Sequence, residues 1–214
     1  MKNYILIIFA ICFTLSCKAQ TIVNLDGPLG GNHYQKDLNN VRANFVGTWQ
    51  YVSGTTEFTI HIYKKDMVSQ GSWWNQGEYW RDKIIGNYIY KENGIEIINT
   101  TQFMPSLINK TYSPFQGFTR YGVSIESHLS TITDFGKPYL NSDCELRYKR
   151  GEAQMEIINL GSGSPLQAIF KVLPIAHTIR TINPACNDTN DYTGFSIPTE
   201  MTLTKISNTP PPLN

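Results

Sequence analysis

Charge is scarce in this chain. Asp, Glu, Lys and Arg make up 16% of its 214 residues, where about a quarter is usual. They sum to a formal net charge of +1. With no basic stripe and no arginine-rich segment, the polyelectrolyte attraction behind nucleic-acid binding is missing. Cysteine is sparse as well: there are four, with no Cys-x-x-Cys spacing, which leaves thiol-redox and zinc readings without support. The four histidines, His33, His61, His128 and His177, share no metal-ligand spacing. Asp188 and Asp191 alternate with Asn and Thr in "CNDTNDYTG", yet the glycine and closing glutamate of a calcium loop are absent. "GSGSP" is neither a nucleophile elbow nor a phosphate loop. Glu92 and Glu96 are carboxylates of a kind common on strands, too weak a signal for a glycosidase. The expectation is a non-enzymatic protein with no metal and no cofactor.

What is present begins at the N-terminus. "MKNYILIIFAICFTLSCKAQ" has a lysine, an apolar run from Tyr4 to Leu15, then small residues. That run is too short for a permanent membrane helix but fits a signal-peptide core. Leu15-Ser16-Cys17 resembles a bacterial lipobox, in which Cys17 is acylated and becomes the mature N-terminus. Cys17-Lys18-Ala19 alternatively allows cleavage before Gln20 and soluble periplasmic or secreted release. Acyl chains on Cys17 would anchor the protein to a membrane, each buried methylene contributing about 0.8 kcal/mol. Lys18 directly after the cysteine resembles lipoproteins released to the outer membrane. Cys12 leaves with the signal, so Cys144 and Cys186 remain as disulfide partners in an oxidising compartment, or as two buried unpaired thiols. A bridge between them would stabilise by roughly 4 kcal/mol in the chain-entropy model.

The rest of the chain reads as short strands. Aromatics reach 12%, and turn signals recur between alternating segments. Leu38, Val41 and Phe45 stand at helical spacing and predict one or two turns of helix. Phe45 to Val52 is the first strand. In Glu57 to Lys64, Phe58, Ile60 and Ile62 share one face, with Glu57, Thr59, His61 and Tyr63 on the wetter one. Asn93-Gly94 predicts a tight type I′ hairpin. Arg150-Gly151 and "GSGSP" predict further turns. Sequential hairpins of this kind close into an up-and-down barrel or stack as a sandwich. The predicted organisation is a signal peptide over 1–16, a flexible tether over 17–35, an all-β antiparallel domain of about eight to ten strands over 36–207, and a disordered Pro-rich tail over 208–214.

The stretch "FVGTWQY" after a short helical turn resembles the opening of lipocalin-like and fatty-acid-binding-like barrels. That resemblance implies a Gly47 that lets the chain turn into the first strand and a Trp49 that plugs the closed end. Lipocalins place an arginine from a late strand over that tryptophan; here "MTLTKI" offers Lys205. Taken whole, the chain is similar to a family of uncharacterised Gram-negative lipoproteins. They share an "SCKAQ" leader, "FVGTW", a "YxYxxNGxE"-like hairpin (here Tyr88, Tyr90, Asn93, Gly94 and Glu96) and a terminal "MTLTK". That family brings no activity with it.

Three of the four tryptophans lie in "GSWWNQGEYW". Trp73, Trp74, Tyr79 and Trp80 there make either a stacking platform for a small apolar or flat ligand, or a loop pinned by its own aromatics. The expected function is a lipid-anchored envelope protein holding such a ligand. The alternative is a structural lipoprotein with a filled barrel that docks an envelope partner.

Overall fold

A computed structural model describes residues 20–28, 31–72, 77–103, 114–119, 124–126, 130–140, 146–159, 165–174 and 194–213. Among the described residues twelve strands run in chain order: β1 (Thr21–Asn24), β2 (His33–Lys36), β3 (Gly47–Ser53), β4 (Thr56–Ser72), β5 (Glu78–Glu92), β6 (Ile95–Asn99), β7 (Phe115–Gly117), β8 (Ser124–Ile125), β9 (Thr131–Leu140), β10 (Leu146–Ile157), β11 (Gln167–Pro174) and β12 (Glu200–Ser207). Eight of them, β3-β4-β5-β7-β9-β10-β11-β12, close into an antiparallel barrel through the β12–β3 and β5–β7 pairings. Closure removes the sheet edges that a sandwich would leave. β6 pairs the same edge of β5 as β7, and β8 the same edge of β10 as β9. Each of these pairs is one interrupted stave of an up-and-down barrel.

Alternation decides which side chains fill the inside. Phe58, Ile60 and Ile62 of β4 are wholly buried, as are Ile84 and Tyr88 of β5 and Phe170 and Leu203 from the far wall. Phe58 stacks on Tyr88 at 5.5 Å and on Phe170 at 5.9 Å between ring centroids. Among the described residues one contiguous apolar cluster occupies the barrel from Phe45 and Trp49 to Tyr90, Ile98 and Ile157. An eight-stranded barrel has an interior that side chains can fill. The Asn93-Gly94 turn has φ of +53° and +76°, the two positive values that a type I′ hairpin requires.

One end of the barrel is sealed by the segment before β3. The predicted helix is a single 3-10 turn, Val41–Asn44, and Leu38 stands exposed outside it. Beyond that end β4 and β5 continue as a ribbon, with register shifts after Lys65 and Ser69. β2 adds in parallel to the ribbon at Trp80 and Arg81, and β1 adds to β2. The Gly- and Asn-rich segment expected to be a tether over 17–35 is therefore, over 21–24 and 33–35, part of the sheet. Its backbone groups are taken up by strand pairing, Leu25 is buried, and the Gln35 amide donates to Gly27 O at 2.6 Å.

Arg42 ties this end together. Its guanidinium donates to Asp37 (2.9 Å), Asp66 (2.8 Å) and Asp82 (3.1 Å), and to the carbonyls of Lys65 and Lys83. Asp82 also accepts from the Tyr34 hydroxyl and from the backbone N–H groups of Asp37 and Met67. Burial opposes the cation, but Asp66, Asp37 and Asp82 outweigh it and the Arg42 pKa is raised.

Arg150-Gly151, predicted as a turn, lies inside the continuous strand β10. Gly151 is needed there for packing: a Cβ would meet Phe195 at 2.7 Å and Val172 at 2.8 Å. Glycine in a strand can mark such a close approach as readily as a reversal. The tail over 208–213 carries no regular strand or helix. It begins with a turn in which the Thr209 N–H donates to the Ser207 hydroxyl at 3.1 Å.

Candidate functional site

The structure brings together the three residues expected to plug the barrel, Gly47, Trp49 and Lys205. Trp49 is fully buried, and its indole N–H donates to Phe45 O at 2.7 Å. The Lys205 ammonium lies 5.4 Å from the Trp49 ring centroid and donates to Asn44 O at 3.1 Å. Cation and ring attract through the ring's quadrupole, while burial lowers the lysine pKa. Gly47 has φ of +133°, and a Cβ there would sit 2.1 Å from Ser207 O. Its glycine is thus required by backbone conformation and by the passage of the chain leaving β12.

The aromatic residues fare differently. Tyr79 and Trp80 lie half-buried at the start of β5, on the ribbon. Tyr79 faces the Arg81 guanidinium at 5.9 Å, and Arg81 in turn covers Phe118 at 4.2 Å. Trp73 and Trp74 lie outside the described residues, as do Cys17, Cys144, Cys186, His128, His177, Asp188 and Asp191. Lys83, on the same outer face as Arg81, has its pKa pushed down to about 8 by burial and by that neighbouring cation. Its ammonium reaches Gln116 Oε1 at 3.4 Å.

A second cluster, unforeseen from the sequence as a site, lies on the outer wall. Cross-strand register sets Thr48 of β3 beside His61 of β4 and His61 beside Asn87 of β5. Thr48 Oγ1 and His61 Nδ1 are 3.0 Å apart. The Tyr63 hydroxyl lies near the Asn87 amide; burial raises its pKa and the amide opposes that shift. The face expected to be wet is covered: His61 is 8% exposed, Tyr63 9% and Asn87 3%. Burial lowers the His61 pKa and keeps the ring neutral.

Opposite this row stand Pro211, Pro212 and Leu213, and beside it Thr101 and Gln102 of the 3-10 turn after β6. Together they line a cavity of about 470 Å³. Asn87 Oδ1, buried in this wall, has no hydrogen-bond partner among the described residues. The cavity is well separated from the aromatic pair. Trp80 and Asn87 share one strand and lie seven residues apart, or about 23 Å along it.

The arrangement offers hydrogen-bonding groups from Asn87, Thr101 and Gln102. Among the described residues no group of three or more His, Cys, Asp or Glu side chains is placed to hold a metal ion. No described helix is long and apolar enough to cross a membrane. Asn87 and Thr48 carry no sequence motif; the only signal is a polar side chain at an alternating strand position. Comparison with curated proteins and with solved structures gave no match. A protein-family profile matches residues 1–206, and the chain belongs to that family, a family of unknown function (DUF6705).

Proposed function

We propose that this protein is an exported, Cys17-acylated envelope protein of the outer membrane that acts without catalysis, as an interaction module working through its outer surface. The observation carrying this reading is the occupied interior. Phe58, Tyr88, Phe115, Phe170 and Trp49 meet within one apolar cluster, where a carrier of an apolar guest would need open space. With the inside taken, what distinguishes this barrel is its exterior: the β4–β5 ribbon with Tyr79 and Trp80, and the covered wall at His61 and Asn87. The leader supports the anchor, and the two remaining cysteines, Cys144 and Cys186, suit a bridge in an oxidising compartment.

Mass spectrometry of the protein purified from its own host tests this reading. The expected result is an intact mass with an acylated Cys17, a native mass with no apolar guest, and an envelope protein that co-purifies. An apolar molecule retained in the core would overturn the reading, and a free Gln20 N-terminus would overturn its anchor.

A further inference from the structure

We propose that the outer-wall cavity between His61, Asn87 and the C-terminal tail is a binding site for a neutral polyhydroxylated molecule, a mono- or oligosaccharide. Its volume of about 470 Å³ falls in the range of about 300–1,000 Å³ typical of small-molecule sites.

The lining selects the chemistry. Among the described residues no carboxylate, lysine or arginine lines it, and burial lowers the His61 pKa. A charged ligand would lose its hydration and gain no counter-charge, so the ligand is neutral. Asn87 Oδ1 accepts, is buried and is unpartnered among the described residues. Leaving such an acceptor unpaired costs about 1–3 kcal/mol, which a ligand O–H donor would recover. Asn87, Gln102 and Thr101 combine donors with acceptors, as hydroxyl groups do. Pro211, Pro212 and Leu213 supply an apolar wall suited to the C–H face of a sugar ring.

The tail is part of the site. β12 ends with Ser207 paired to Thr48, and Gly47 lets the chain pass so closely that Asn208 Cα would lie 3.2 Å from any Cβ there. From that point the chain crosses the outer wall from β3 towards β5, which brings its last prolines opposite His61 and Asn87.

The test is titration of the mature protein with neutral glucose, maltose, cellobiose and diacetylchitobiose, followed by NMR at the His61 and Tyr63 rings. Glucose 6-phosphate serves as the charged comparison. The expected result is saturable shifts with at least one neutral sugar and none with the phosphate. Asn87→Leu should weaken that binding about tenfold without lowering the melting temperature. A chain ending at Thr209 keeps every strand and should weaken binding similarly, so it decides the matter if Asn87→Leu fails to fold. No saturable shift with any neutral sugar means that Asn87 bonds ordered water only, and overturns the proposal. Equal binding by both variants and the parent overturns it too. Neither result bears on the anchor or on the occupied core.

Discussion

Two polar clusters in this barrel are buried to a similar depth, yet they are built on opposite principles. At the sealed end, the buried carboxylates of Asp37 and Asp82 and the buried guanidinium of Arg42 all meet partners. On the outer wall, the row from Thr48 through His61 to Asn87 carries no charge and leaves one acceptor unanswered. A saturated network has nothing left to offer a ligand; it joins the 3-10 turn, β2 and the β4–β5 ribbon into one body. An unsaturated one pays a standing cost, and its wall faces a cavity. The contrast separates a structural cluster from a candidate binding surface, without appeal to any motif.

Four measurements would break or sharpen that contrast. The largest effect belongs to Arg42→Met, which strands Asp37 and Asp82 as buried charges. Chemical denaturation should show a loss of about 3–5 kcal/mol. A loss below about 1 kcal/mol would mean that the carboxylates reach water and that the network is not closed.

Next comes Gly47→Ala. It forces a side chain into a left-handed backbone region and against Ser207 O, and should cost on the order of 2 kcal/mol. Because the clash lies where the tail leaves β12, His61 and Tyr63 should also become more accessible, as read by their NMR solvent contacts. Destabilisation with the His61 environment unchanged would separate the tail from the outer wall.

A smaller effect is expected from acid. His61 has a lowered pKa in the folded protein, so the unfolded chain binds more protons wherever pH lies between the folded value and about 6.5. Stability is therefore complete above about pH 6.5 and falls as pH drops below it, by at most about 1.4 kcal/mol per pH unit. His61→Gln should remove that part of the slope; an identical slope in the variant would show the ring to be solvated. Arg42 contributes none in this range, since it stays protonated throughout.

The smallest effect is that of Asn87→Leu. Replacing an unsatisfied amide by an apolar group of like size should leave stability within about 1 kcal/mol of the parent, or raise it. A loss as large as that expected for Arg42→Met would place Asn87 among saturated structural groups and dissolve the comparison.

Much of the barrel was legible in local patterns. The alternation of Phe58, Ile60 and Ile62 named the inward face of β4, and Asn93-Gly94 marked a hairpin because both positions tolerate positive φ. The GTW stretch and the lysine of the last strand suggested a tryptophan under a cation, and Trp49 and Lys205 do meet. The misreadings share a cause. Gly151 reads locally as a turn because glycine marks both reversals and close contacts, and only Phe195 and Val172 tell which. Residues 21–24 and 33–35 read locally as a tether because their sheet partners lie on β5 and on each other. The outer-wall row was missed because Thr48, His61, Asn87 and the tail prolines come from four distant segments.

Local sequence by itself determined the strand class, the inward faces and the main tight turn, since these follow from steric and hydrophobic rules that act over a few residues. Only the tertiary structure decided which buried polar groups find partners. That depends on strand register and on where the last residues of the chain return, and no neighbour-to-neighbour pattern encodes either.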